Sequence, residues 1–191
     1  MQAAGSATVA YYYFDSQDDK KQDCFGLLSS LISWLSAESD SYFGILSKLH
    51  AEHMHGMRQP DIGALKKCMT DMLSLPGQPP IYIIMDGVDE CPNFPERVPA
   101  RKKVLELIKE LVNLKLPNVH LCVASRPEMD IREVLGPLTS LKISLHEENG
   151  QMEDIIAYIM HVVGSDRDIQ SWNEEDKQLA IVTLSKKADG M

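Results

Sequence analysis

Pro79-Pro80-Ile81-Tyr82-Ile83-Ile84-Met85-Asp86-Gly87-Val88-Asp89-Glu90-Cys91-Pro92 is the stretch whose reading decides the fold. Ile81 to Met85 is an unbroken apolar run, too short for a helix, with two prolines before it and a polar turn after it. Such a run predicts a strand buried on both faces, as in a parallel sheet. Three carboxylates, Asp86, Asp89 and Glu90, follow where that strand ends, and open α/β sheets bind ligands beyond the carboxyl ends of their strands. Acids gathered there are costly to bury unless a cation or a proton-transfer role offsets the cost.

Asp86-Gly87 is also a hairpin signal. The residues after it, Val88 to Asn93, do not alternate as a return strand would, so the chain is expected to leave the sheet as a loop. The sharper reading is a Walker B strand. Asp86 then holds Mg²⁺ through water, and a following acid polarises the water that attacks a γ-phosphate.

Outward from this strand, the pattern alternates. Ala7 to Phe14 is rich in β-branched and aromatic residues and predicts a strand. A helix is expected from about Lys21 to Ala37, with Cys24, Leu27, Leu28, Leu31 and Leu35 on one stripe and Trp34 beside it. Glu38-Ser39-Asp40 interrupts, and a second helix from Ser41 buries Tyr42, Ile45, Leu46 and Leu49. Asp61 after Pro60 starts a third, with Ile62, Leu65, Met69, Met72 and Leu73 inward. Beyond the acidic loop, the prolines at 95 and 99 make an irregular segment. Arg101 to Lys115 is an amphipathic helix with Val104, Leu105, Ile108, Leu111 and Val112 inward. Val119 to Ala124 is a strand ending in Ser125-Arg126-Pro127-Glu128. Ile131 to Leu135 makes a helical turn, and Leu141 to Leu145 alternates as a fourth strand. A polar turn follows at 147–150. Two helices follow, one with Met152, Ile155, Ile156, Ile159 and Val163 on a stripe. The other opens on Asn173 and Asp176 as a capping box and packs Leu179, Val182, Thr183 and Leu184. Strands alternating with helices imply βαβ crossovers and a three-layer, mainly parallel α/β sheet over residues 1–146, with 147–191 starting a helical subdomain.

The balance of 19 basic against 28 acidic residues, net −9, argues against nucleic acid as the main partner, because phosphate binding wants a basic footprint. No apolar run reaches bilayer length, and no charged-apolar-small leader is present, so neither a membrane nor secretion is indicated. Cys24, Cys68, Cys91 and Cys122 form no CxxC pair and fit reduced core residues of a cytoplasmic protein. His53-x-His55 lacks an acidic or cysteine partner and reads as a solvated polar stretch rather than a metal pair.

Two strand ends carry the chemistry. One brings Asp86, Asp89 and Glu90, the other Ser125 and Arg126, and in a parallel sheet both ends share one edge. A guanidinium there matches phosphate oxygens with its planar fork. The alternative for Arg126 is a strand-end turn with the arginine paired to a local acid.

Ile83 to Pro92, Ala124-Ser125-Arg126-Pro127-Glu128, the order of elements, and the terminal Lys187-Ala188-Asp189-Gly190-Met191 together resemble the NACHT class of signal-transduction NTPases. The likeness is to the fungal NLR-like proteins with a nephrocystin-type N-terminal domain, members of the wider STAND group. It implies a P-loop NTPase core in which Asp86 coordinates Mg²⁺, Asp89 and Glu90 orient water, and Arg126 with Ser125 faces the γ-phosphate. It also implies ATP or GTP as ligand, protein partners with self-association, and a parent joining this switch to an effector domain and a repeat array. The family's GxxxxGK[ST] loop, whose backbone N–H groups and lysine hold the phosphates, is not among these residues. Gly5 in Ala3-Ala4-Gly5-Ser6 is the one early glycine. The chain is therefore expected to be a fragment lacking the P-loop strand, not catalytic by itself and without tight nucleotide binding. A degenerate interaction module with the same fold is the competing expectation. A haloacid-dehalogenase-type site is disfavoured because Val88 stands where its second aspartate belongs.

Overall fold

The computed structural model describes residues 7–93, 99–144 and 151–188. Three strands, β1 (Thr8–Tyr13), β2 (Ile81–Asp86) and β3 (Val119–Val123), form a parallel sheet in the order β1-β2-β3. Thr8 pairs with Ile81 and Tyr13 with Asp86 on one side of β2; Ile81 pairs with Val119 and Met85 with Val123 on the other. The helices are α1 (Cys24–Glu38), α2 (Asp40–Glu52), α3 (Ile62–Leu73), α4 (Ala100–Asn113), α5 (Met129–Leu135), α6 (Gln151–Ser165) and α7 (Glu174–Ala188). Met1–Thr139 and Ser140–Met191 are two compact units. Among the described residues no helix is long and apolar enough to cross a membrane.

The early helices start where polar side chains take up free N–H groups. Asp23 accepts from Gly26 N at 2.9 Å, Ser39 from Tyr42 N at 3.2 Å and Asp61 from Ala64 N at 2.8 Å. Gly26 is required by a close approach, since a Cβ there would sit 2.2 Å from Lys20 O and 2.6 Å from Tyr12 Oη. One core holds the helices against the sheet. Leu27, Leu28, Leu31 and Leu35 of α1, Leu65, Met69 and Met72 of α3, and Val104, Leu105 and Ile108 of α4 meet Ala10, Tyr12, Ile81, Ile83 and Met85. Leu107 joins them, although the stripe read from the sequence omits it.

β2 is not buried on both faces. Its burial alternates, leaving Tyr82 43% and Ile84 36% exposed, and β1 does likewise with Val9, Tyr11 and Tyr13 outward. Within the first unit helices cover one face of the sheet, and no described element of that unit forms the third layer expected from the sequence. Side chains on the open face lean on one another: Tyr82 stacks on His120 with ring centroids 4.9 Å apart, and Trp34 of α1 reaches Tyr11 at 4.6 Å. An apolar run cannot reveal this arrangement, because tyrosine and isoleucine serve in covered and open sheet faces alike.

The fourth strand is a second correction. Residues 141–144 pair with no strand, and Leu141 and Ile143 are exposed. Leu145, the turn at 147–150, the segment 94–98 and the terminal Asp189-Gly190-Met191 lie outside the described residues, as does the side chain of Met152. In the second unit α6 and α7 pack on each other. The expected cap holds: Asp176 N donates to Asn173 Oδ1 at 2.7 Å and Asn173 Nδ2 donates to Asp176 Oδ2 at 2.9 Å. Leu179, Val182 and Leu184, expected inward, are exposed. Ala180 and Ile181 are the more sheltered apolar side chains of α7.

Cys24, Cys68 and Cys91 are buried and Cys122 is exposed on the open face of the sheet. Burial pushes the Cys24 and Cys68 thiols up to about 11 and that of Cys91 up to about 12. Cys122 should therefore be the one cysteine that a thiol reagent modifies in the folded chain at pH 8; mass spectrometry before and after denaturant checks this. The unfolded chain releases the three buried thiol protons at lower pH than the folded one. Their contribution to stability is thus complete below about pH 9 and lost as the pH rises toward 12.

Candidate functional site

Parallel pairing sends the chain off β1, β2 and β3 at one rim of the sheet, and the three departing loops are tied together there. Phe14 N donates to Asp86 O at 2.9 Å, Ala124 N to Met85 O at 2.8 Å and Val88 N to Ala124 O at 3.3 Å. Gly87 makes the bend. It adopts φ +70° and ψ 34°, the left-handed region that side-chain-bearing residues pay to enter, and a Cβ there would lie 3.3 Å from Phe14 O. Val88–Glu90 then forms a single 3-10 turn with Val88 fully buried. The turn leaves Asp89 and Glu90 on the rim, and the chain does not fold back as a hairpin.

The three acids differ. Asp86 ends β2 on the open face, exposed, and its carboxylate has no hydrogen-bond or ion-pair partner among the described residues. Glu90 Oε2 accepts from Ser16 N at 3.0 Å and Ser16 Oγ at 3.2 Å, closing the β2 loop onto the β1 loop. Asp89 points the other way. Its Oδ1 accepts from Arg126 N at 2.9 Å, its Oδ2 stands 3.6 Å from Arg126 Nε, and its side chain is only 11% exposed. Ser125 and the Arg126 guanidinium are exposed, the latter 76%. Asp86 and Arg126 thus share the rim without touching, while Asp89 and Glu90 are already committed to protein donors.

Residue patterning does not mark Arg101 as part of this region. It is buried although charged, and it donates from Nε to Cys91 O at 2.9 Å, from Nη2 to Asp89 O, and from Nη1 to the Glu128 carboxylate. At the start of an amphipathic helix an arginine normally reads as a solvated residue. The available signal was the pair of acids, Glu128 and Asp130, placed just after the neighbouring strand.

A magnesium ion is bound by one or two carboxylates together with waters and substrate phosphates. The residues present fit the protein's share of such a site. Asp86 offers one unengaged carboxylate at a strand end, and no group of three possible ligands occurs among the described residues.

A parallel α/β sheet thus gathers acids and an arginine where its strands end. The chain belongs to the nephrocystin 3 N-terminal family, whose model (Nephrocystin 3, N-terminal) matches residues 1–126, two thirds of the sequence and ending on Arg126 itself. No curated protein and no solved structure was found to match.

Gly87→Ala should cost roughly 1–2 kcal/mol, the scale of a left-handed residue gaining a Cβ. Urea denaturation of the two proteins measures it.

Proposed function

We propose that residues 1–191 carry the acid and arginine half of a nucleotide-dependent signalling switch of the NACHT/STAND type, in a larger protein that supplies the phosphate-cradling GxxxxGK[ST] loop. One observation carries this reading: an unengaged carboxylate, Asp86, and an exposed guanidinium, Arg126, stand on the same rim of a parallel sheet in a chain of the nephrocystin 3 N-terminal family. Among the described residues β3 pairs with a neighbour on one side only, and its free edge beside Arg126 is where the family's P-loop strand would add.

In this reading β2 is the Walker B strand. Asp86 would hold Mg²⁺ through water, and that ion would supply charge screening for the phosphates of ATP or GTP. Arg126 turns its guanidinium to the γ-phosphate. Its guanidinium is 76% exposed and stands 3.6 Å from Asp89 Oδ2, a long contact that leaves it room to turn. Asp89, mostly enclosed, holds the Arg126 backbone in place. Glu90, on the surface next to Ser16, is the acid better placed to orient water. Slow hydrolysis would reset the switch, with self-association and protein partners as its output. Without the cradle, these groups have no phosphates to act on.

In the parent protein, Asp86→Ala and Arg126→Ala should each lower nucleotide hydrolysis by about 100-fold, the scale of removing one preorganised charge from a transition state. Unchanged turnover in both would remove the assignment. Calorimetry of residues 1–191 with Mg-ATP should show no tight binding, and tight binding would overturn the division of labour between cradle and rim.

A further inference from the structure

We infer that Arg101 is a positioning residue: it locks the loop after β2 to the loop after β3 and so sets where Asp89 and Arg126 stand. Its catalytic consequence rests on the switch reading above; the lock itself does not.

Arg101 is the second residue of α4, and its side chain is 7% exposed. Nε and Nη2 donate to the carbonyls of Cys91 and Asp89 on the first loop. Nη1 donates to Glu128 on the second, with Asp130 Oδ1 at 3.5 Å. Two further bonds add to this: Arg101 N donates to Pro92 O at 3.1 Å, and the Asn93 side chain donates from Nδ2 to Asp130 Oδ2 at 3.1 Å. A buried charge is retained only where partners neutralise it and occupy its protons, and here both loops provide them. The planar fork matters. Its donors diverge at fixed angles and reach two carbonyls on one side and a carboxylate on the other, whereas a lysine offers its donors from a single point.

Asp89 stands between two arginines. Arg101 holds its main-chain carbonyl, and its carboxylate holds the Arg126 N–H and guanidinium. The Arg126 main chain is held by Asp89 Oδ1, so the point from which its side chain extends depends on Asp89, and that of Asp89 on Arg101.

A residue that merely stabilises the fold would, when replaced, loosen every part of it. A positioning residue loosens the rim alone. Amide hydrogen exchange by NMR on residues 1–191 separates the two. In Arg101→Lys, which keeps the charge, the Arg126 amide should exchange about tenfold faster, the scale of one lost charge-assisted hydrogen bond. The protected amides of β2 should keep their rates. An unchanged Arg126 amide, or equal acceleration throughout β2, would overturn the inference. Arg101→Met extends the comparison if it folds; the lysine variant suffices if it does not. In the nucleotide-hydrolysing parent, Arg101→Lys should lower kcat and leave KM unchanged. A wild-type parent without turnover would instead defeat the switch reading, and the exchange rates would still decide the role of Arg101.

Discussion

The parallel pairing of β2 with both neighbours is the constraint from which the rest of the first unit follows. Because Tyr13 pairs with Asp86 and Met85 with Val123, all three strands end level with one another. Loops distant in sequence therefore emerge side by side. Antiparallel pairing on either side would have sent one of those loops to the opposite edge. Level endings alone would leave three independent loops. The bend at Gly87 turns the β2 loop so that Glu90 meets Ser16 on one flank and Asp89 meets Arg126 on the other. One left-handed glycine thus converts a strand register into a connected rim.

Arg101 extends that connection into the core. The acidic loop carries a buried apolar residue on each side of its acids, Val88 and Cys91, so its backbone carbonyls turn inward where water cannot satisfy them. A buried carbonyl without a donor costs stability on the order of 1–3 kcal/mol. The guanidinium meets two of them and is neutralised in turn by acids that follow β3. Packing and polar satisfaction are therefore one problem at this end of the sheet, and α4 solves it with its second residue.

Much of this was legible from residue patterns. The stripes of α1 and α4, and that of α3 apart from the exposed Ile62, follow from apolar spacing at the helical period, and Asp23, Ser39 and Asp61 mark starts because short polar side chains satisfy free N–H groups there. The shared rim was legible too, since strands alternating with helices force parallel pairing. The failures have physical causes. Leu141 to Leu145 alternates as a strand should, but alternation says only that a segment could cover a face; pairing requires an edge in the right place. The openness of the Tyr82 face depends on what lies across it, which no local pattern records. Arg101 escaped notice because its burial is a tertiary fact, created by carbonyls and acids that the crossovers bring together.

The same limit separates the three acids. In the sequence, Asp86, Asp89 and Glu90 are equivalent carboxylates within five residues, and any of them could face a cation. In the fold, two of the three are occupied by donors from neighbouring loops. A carboxylate that already accepts from backbone N–H groups has less to offer an incoming metal, since those contacts must be given up first. Asp86 escapes because it is the last residue of the strand: its backbone is fixed by the ladder, so its side chain is not needed to hold a loop. The division of labour thus comes from position along the chain. The acid inside the regular strand is left unengaged, and those beyond the bend hold the rim together.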